Sequence, residues 1–183
     1  MGFIRPDDYR APELITPLFT AEHIATTQSK LARSIRQELG QELLVMGLLK
    51  GSFVFIADLV RAMHHRGCTP QIDFMTLSSY GNDKESSGVV RMMSTHHDNL
   101  EGKPILLVDD ILESGRTLSF AKQWLFDRGA ASVHVCVLLD KPHKRIIPIE
   151  ADYVGFTIED QFVVGYGLDY AGYYRELPFI GVL

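Results

Sequence analysis

The chain has 183 residues, an apolar fraction of 46% and a formal net charge of −5 at pH 7. That length suits one domain with at most a small appended lobe, and the composition supplies an ordinary globular core. The acidic balance gives bulk electrostatics no part in holding nucleic acid, and no apolar run approaches the roughly 20 residues needed to cross a bilayer.

Residues 1–19, "MGFIRPDDYRAPELITPLFT" up to its penultimate residue, read as an extended arm. Pro6, Pro12 and Pro17 each fix their own backbone angle and remove a hydrogen-bond donor. Charges and prolines stand where a signal peptide needs an apolar run. Pro6 occupies the position at which a myristoylation signal wants Ser or Thr. Cys68 and Cys136 lie far apart, without metal or redox spacing, and read as reduced core residues. The expectation is a soluble, cytoplasmic protein.

A helix is expected over 20–39. Thr20 can cap it, Glu22 suits the positive end of its dipole, and Ile24, Leu31, Ile35 and Leu39 follow a helical spacing up to Gly40. "LLVMGLL" (43–49) is a short, almost wholly apolar run, as in a strand covered on both faces. A helix over 52–67 and a strand over 71–80 follow. Next come a polar loop, "GNDKESSG" (81–88), and a returning strand, "VVRMMS" (89–94). Strand 104–110, helix 116–129 and strand 132–140 complete an alternation that predicts an α/β fold with a parallel, doubly wound sheet. After Lys141 the aromatic and glycine-rich stretch 152–177 loses helical periodicity. The expected organisation is a core over 20–141, with 1–19 and 142–183 forming an arm and a small hood on the same domain.

The chemistry concentrates in "KPILLVDDILESGRTLSFAKQWL" (103–125). Asp109-Asp110 close an apolar strand, and Ser114-Gly115-Arg116-Thr117 open a helix. In parallel α/β sheets ligands bind beyond the carboxyl ends of the strands. Free N–H groups at a helix start, with the Ser114 and Thr117 hydroxyls, can cradle a phosphate. Carboxylates nearby suit a ribose diol, directly or through a hard cation. The combination points to a ribose 5-phosphate. No G-x-x-x-x-G-K-[ST] is present, and "GYGLDYAG" (165–172) lacks the third glycine of a Rossmann fingerprint. Paired acids after a strand also occur in receiver domains, but near the N-terminus. The plain alternative is a strand–turn–helix with surface acids.

This stretch resembles the signature of the purine phosphoribosyltransferases. With "LLKGS" (48–52), "SSYG" (78–81), "LLDK" (138–141) and "DYVGFTIEDQFVVGYGLDYAGYYREL" (152–177), the chain from about Leu43 onward is similar to hypoxanthine–guanine phosphoribosyltransferases. The resemblance implies a type I phosphoribosyltransferase-like sheet with a hood. It implies transfer of a phosphoribosyl group from phosphoribosyl diphosphate to a 6-oxopurine, Mg²⁺ as cofactor, and homodimers or homotetramers. It places Asp109 and Asp110 at the ribose hydroxyls and metal, Asp169 as a further metal-side carboxylate, and Ser114, Gly115, Arg116 and Thr117 at the 5′-phosphate. Lys50, Gly51 and Arg175 go to the diphosphate, with a non-proline cis peptide expected between Leu49 and Lys50. Lys141 would donate to the purine 6-oxo group, Phe162 would stack on the ring, and the Val163 backbone would meet its edge. Ser79 and Tyr80 would close over the reacting centre from a lid at 78–90. Glu113 stands where the family usually has aspartate as general base, one methylene longer.

Each residue has a blander reading. Asp169 could cap a turn, Arg175 could pair with Glu176 or Asp169, Lys141 could belong to a solvated cluster "KPHKR" (141–145), and Phe162 could be ordinary packing. His64-His65 and His96-His97 read as surface residues, since adjacent side chains do not share a face. Two other functions compete with hypoxanthine transfer. One is a xanthine-preferring enzyme of the same fold. The other is a nucleic-acid-binding regulator that senses phosphoribosyl diphosphate, against which stand the acidic charge and the joint presence of Lys50, Glu113, Lys141 and Arg175.

Overall fold

A computed structural model describes residue 6 and residues 9–80, 89–95 and 99–183, with backbone alone at 78–80 and 89–95. The arm does not stay irregular. After a short 3-10 turn at Pro12–Leu14 it forms strand β1 (Pro17–Phe19). Helix α1 (Ala21–Leu39) follows, capped by the Thr20 hydroxyl, which accepts the His23 N–H at 3.3 Å. Gly40, at φ +86°, ends it. The remaining elements are β2 (Leu44–Leu49), α2 (Phe53–His64), β3 (Gln71–Tyr80), β4 (Val89–Thr95), β5 (Pro104–Leu112), α3 (Arg116–Phe126), β6 (Ser132–Asp140), β7 (Tyr153–Thr157), β8 (Val163–Val164) and β9 (Ile180–Val182).

The main sheet has the order β4-β3-β2-β5-β6-β7. β3, β2, β5, β6 and β7 run parallel, and β4 returns antiparallel along β3. Alternate strand residues face opposite layers. Val45, Leu106, Val108, Cys136 and Leu138 pack with Ile24, Ile35, Phe55 and Leu59 of α1 and α2. Met46, Ile105, Leu107, Val135 and Val137 pack with Leu118, Ala121 and Leu125 of α3. Helices thus cover both faces, as the apolar run at 43–49 implies for a central parallel strand. Cys68 and Cys136 are buried and free. Among the described residues no helix is long and apolar enough to cross a membrane.

Three boundaries differ from the sequence expectation. β5 does not stop at Asp110 but continues to Leu112, because β6 goes on pairing with it through Leu112↔Asp140 after β2 has stopped at Gly47↔Val108. α2 and α3 end at His64 and Phe126. Gly67 and Gly129, at φ +78° and +87°, then let Cys68 and Ala130 donate back to Met63 O and Leu125 O. The third difference corrects the division at residue 141. Tyr153–Thr157, expected in the hood, is the edge strand of the main sheet. Its Gly155 lies against the β6 backbone, where a Cβ would stand 2.5 Å from Leu138 O, and the Tyr153 hydroxyl donates to Glu38 at 2.9 Å. The hood itself is a sheet of order β1-β9-β8, so the arm supplies one of its strands. Ile15, Val164, Tyr174 and Leu177 form its core.

Candidate active site

The site lies at the carboxyl ends of β2, β5 and β6. There the sequence places four turns: 50–52, 109–115, 141–145 and the hairpin 165–175. β2 ends at Leu49, and the Leu49–Lys50 peptide is cis, as the resemblance implies. Ser52, fully buried, turns its hydroxyl back to Leu48 O and starts α2. Gly51 is pressed against the end of β5. A Cβ there would fall 1.6 Å from Asp110 Oδ2, and one on Gly167 (φ +100°) would fall 2.2 Å from Gly51 O. No side chain fits at either position, so three turns converge on one point.

Asp109 and Asp110 stand on β5 just beyond the last pairing with β2, open on the side that β2 has vacated. The Asp110 N–H donates to Asp109 Oδ1, and the Ile111 N–H to Asp110 Oδ1, each at 2.9 Å. Burial, and then the neighbouring Asp110 carboxylate, hold the Asp109 carboxyl protonated to a pH well above the usual carboxylate range. Burial raises Asp110 as well, offset by hydrogen bonds from its neighbours and by the Arg175 charge. Two half-buried carboxylates that resist joint ionisation call for hydroxyl donors or a cation between them. Their oxygens fit a hard ion such as Mg²⁺. Among the described residues no three acids, histidines or cysteines gather as a complete ligand set. An ion here would take further oxygens from a bound ligand, as Mg²⁺ commonly does from phosphates.

Residues 109–115, with Thr117 and Leu118, line a cavity of about 270 Å³. Gly115, at φ +81°, occupies the N-cap of α3, and no side chain caps that helix. The Ser114 Oγ accepts only a long bond, 3.4 Å, from the Arg116 N–H. The first turn of α3, with the Thr117 hydroxyl exposed beside it, is therefore an open set of donors at the positive end of a helix.

Beside this cavity Lys141 Nζ donates to Glu113 Oε1 at 2.5 Å; the lysine is buried while the Glu113 side chain is 47% exposed. Lys141 thus has one charged partner and is not part of a solvated cluster. Phe162 is 53% exposed, with Tyr170 edge-on at 5.6 Å, so it is no ordinary packing residue. Val163, the first residue of β8, is buried and pairs with Val182. In the hairpin, both bland readings of Asp169 and Arg175 hold. Asp169 accepts the Gly172 N–H at 2.8 Å and pairs with Arg175 at 2.6 Å, and Arg175 also donates to Gly167 O at 2.6 Å. Those contacts aim Arg175 toward Asp110, whose ionised form its positive charge favours.

Ser79 and Tyr80 pair through their backbones with Val90 and Val89, and residues 81–88 of the lid expected at 78–90 lie outside the described residues. His96-His97 also lie outside them, whereas His64 and His65 are exposed. Sequence reasoning missed two supports. Arg145, given no role from the sequence, donates to Leu112 O and Glu113 O at 3.1 and 2.5 Å and pairs with Asp140. The Tyr166 hydroxyl bonds Gln28 of α1 and Asp58 of α2, fixing the hairpin that carries Gly167. No local pattern announces either, since the partners lie on separate elements.

A parallel sheet wound on both faces, with paired acids and an uncapped glycine-led helix at its carboxyl edge, defines a nucleotide-handling α/β enzyme. A family model described as a phosphoribosyl transferase domain matches residues 18–171. The chain is 42% identical over 168 residues to a hypoxanthine-guanine phosphoribosyltransferase of Dictyostelium discoideum, covering 91% of this chain and 93% of that one. It superposes on a crystal structure of a hypoxanthine phosphoribosyltransferase from Staphylococcus aureus with a TM-score of 0.86, at 41% identity over 92% and 90% of the two chains. A hypoxanthine phosphoribosyl transferase of Trypanosoma cruzi gives a TM-score of 0.87 at 40% identity, over 96% and 94%. The chain belongs to the phosphoribosyltransferase family, in its hypoxanthine–guanine branch.

Proposed function

We propose that this enzyme transfers the 5-phosphoribosyl group of phosphoribosyl diphosphate to hypoxanthine, and to guanine as a second acceptor, giving IMP or GMP and pyrophosphate. The observation that carries this reading is the spacing on one edge of the sheet. Two half-buried acids are followed within five residues by a glycine-capped, donor-rich helix start, and a buried lysine paired with an exposed glutamate stands beside them. One pocket thereby offers acceptors for a ribose diol, donors for a 5′-phosphate and a proton-handling pair for a heterocycle.

In this reading Asp109 and Asp110 accept the ribose hydroxyls, and Ser114, Gly115, Arg116 and Thr117 hold the 5′-phosphate. Lys50, Gly51 and Arg175 receive the diphosphate. Asp109, Asp110 and Asp169 are the residues that would hold Mg²⁺, whose contribution is to neutralise charge on the departing diphosphate. Lys141 donates to the 6-oxo group, Phe162 stacks on the ring and the Val163 backbone meets its edge. Glu113 takes the proton from the purine ring nitrogen as the bond to the sugar forms. The observed Glu113–Lys141 contact gives each group a partner until a purine arrives; the 6-oxo group then takes over the lysine and leaves the carboxylate free to accept a proton. Ser79 and Tyr80 would close over the sugar.

The setting is the cytoplasm, consistent with two free, buried cysteines, and the assembly is a homodimer or homotetramer. A pyrophosphate-release assay with hypoxanthine, guanine, xanthine and adenine, each with and without Mg²⁺, tests the reading. Release is expected with hypoxanthine and guanine in the presence of Mg²⁺. No release with any oxopurine would overturn it.

A further inference from the structure

We propose that Arg145 is a positioning residue for this reaction, holding the phosphate-binding turn and the Glu113 backbone from behind. The inference rests on the reading that residues 114–117 hold the 5′-phosphate. A turn that directs its N–H groups at an anion must direct its carbonyls the other way, and buried carbonyls need donors. Here the carbonyls of residues 112–114 all find donors on one strap, residues 141–147. Leu112 O accepts the Lys141 N–H at 2.9 Å and Arg145 Nη1 at 3.1 Å. Glu113 O accepts the same Nη1 at 2.5 Å. Ser114 O accepts the Ile146 and Ile147 N–H groups at 3.0 and 2.9 Å.

Among the described residues, Arg145 is the one side chain of the strap that donates to these carbonyls. Its other nitrogen, Nη2, pairs with Asp140 at the end of β6, so the guanidinium is held from the sheet and cannot swing away with the turn. A planar fork of donors suits this task, and a lysine ammonium could not reproduce its geometry. Gly115 completes the fit: a Cβ there would stand 2.5 Å from Ile147 O and 3.2 Å from Arg145 Cδ, so the turn lies flush on the strap. Lys141, by contrast, reaches the Glu113 carboxylate and has no side-chain bond to the turn's carbonyls.

The test uses the full-length protein with Arg145→Ala and Arg145→Lys. Calorimetric binding of IMP is measured alongside steady-state kinetics in phosphoribosyl diphosphate and in hypoxanthine. The expected result for Arg145→Ala is a loss of IMP affinity and a rise in KM for phosphoribosyl diphosphate of roughly tenfold or more, the scale of one lost charge-assisted hydrogen bond. kcat falls with them, KM for hypoxanthine changes much less, and added guanidinium at millimolar concentration restores part of the loss. Arg145→Lys lies between the two. IMP binding at wild-type strength in Arg145→Ala overturns the proposal. So does an equal loss toward both substrates that guanidinium does not relieve, which marks general destabilisation. Should Arg145→Ala not fold, Arg145→Lys decides, and unaltered IMP binding there is equally fatal. If the wild-type protein itself neither binds IMP nor releases pyrophosphate, the functional reading fails first and takes this inference with it.

Discussion

At the scale of single residues, the site is a set of groups kept uncomfortable until a ligand arrives. Asp109 and Asp110 share a half-buried position in which the Asp110 carboxylate opposes the ionisation of Asp109. Replacing Asp109 by Asn removes that repulsion with little change of shape. The metal-free protein, melted in EDTA at pH 8, should then unfold at a higher temperature than wild type while IMP binding weakens. A lower melting temperature would show that the pair is not a burden in the empty site. Glu113 is the clearest departure from the family pattern. As general base it should contribute within the usual range of about 10²–10⁴-fold. Glu113→Gln is therefore expected to lower kcat by at least about 10²-fold, with KM for phosphoribosyl diphosphate much less affected; near-normal turnover removes Glu113 from the role. The residue types and their order announced these groups. Nothing in the order of residues showed that the longer glutamate reaches Lys141 Nζ at 2.5 Å, because the two stand just past the ends of neighbouring strands, 28 positions apart.

At the scale of elements, close backbone approach sets what can be changed. Gly155 lets β7 lie against β6, and the atom that an added methyl would meet is a carbonyl in a sheet, which cannot step aside. Gly155→Ala should cost about 1–3 kcal/mol in urea unfolding, with loss of the edge strand's amide protection as the first sign. The same glycine, among aromatics, is why 152–157 looked like hood and proved to be sheet. Its run is short, and the partner that makes it a strand is β6. The helices were easier to read, because their apolar spacing and their glycine stops act within the segment itself. Thr20 illustrates this: its cap on His23 was legible from type and position. Thr20→Ala should lower stability by about 1 kcal/mol in the same measurement.

For the molecule as a whole, the hood joins chain segments that are far apart in sequence. β1 pairs with β9 and β9 with β8, so the arm closes a sheet that carries Val163 and adjoins Phe162. Deleting residues 1–19 should raise KM for hypoxanthine more than KM for phosphoribosyl diphosphate, since the phosphate turn depends on β5, α3 and the 141–147 strap. An equal rise in both would mean that the arm serves general stability alone. Taken by itself, the sequence determined the alternation of strands and helices, the two-sided burial of the central strand and the types of group at its carboxyl edge. Periodicity, capping and turn chemistry act over a few residues and leave their mark locally. The tertiary structure alone decided which turn stands behind which: Gly51 against Asp110, Gly167 against Gly51, Arg145 behind Glu113, β7 beside β6. Those contacts join residues tens of positions apart. Their geometry follows from how the sheet packs its layers and from donors and acceptors that find partners only once it has formed.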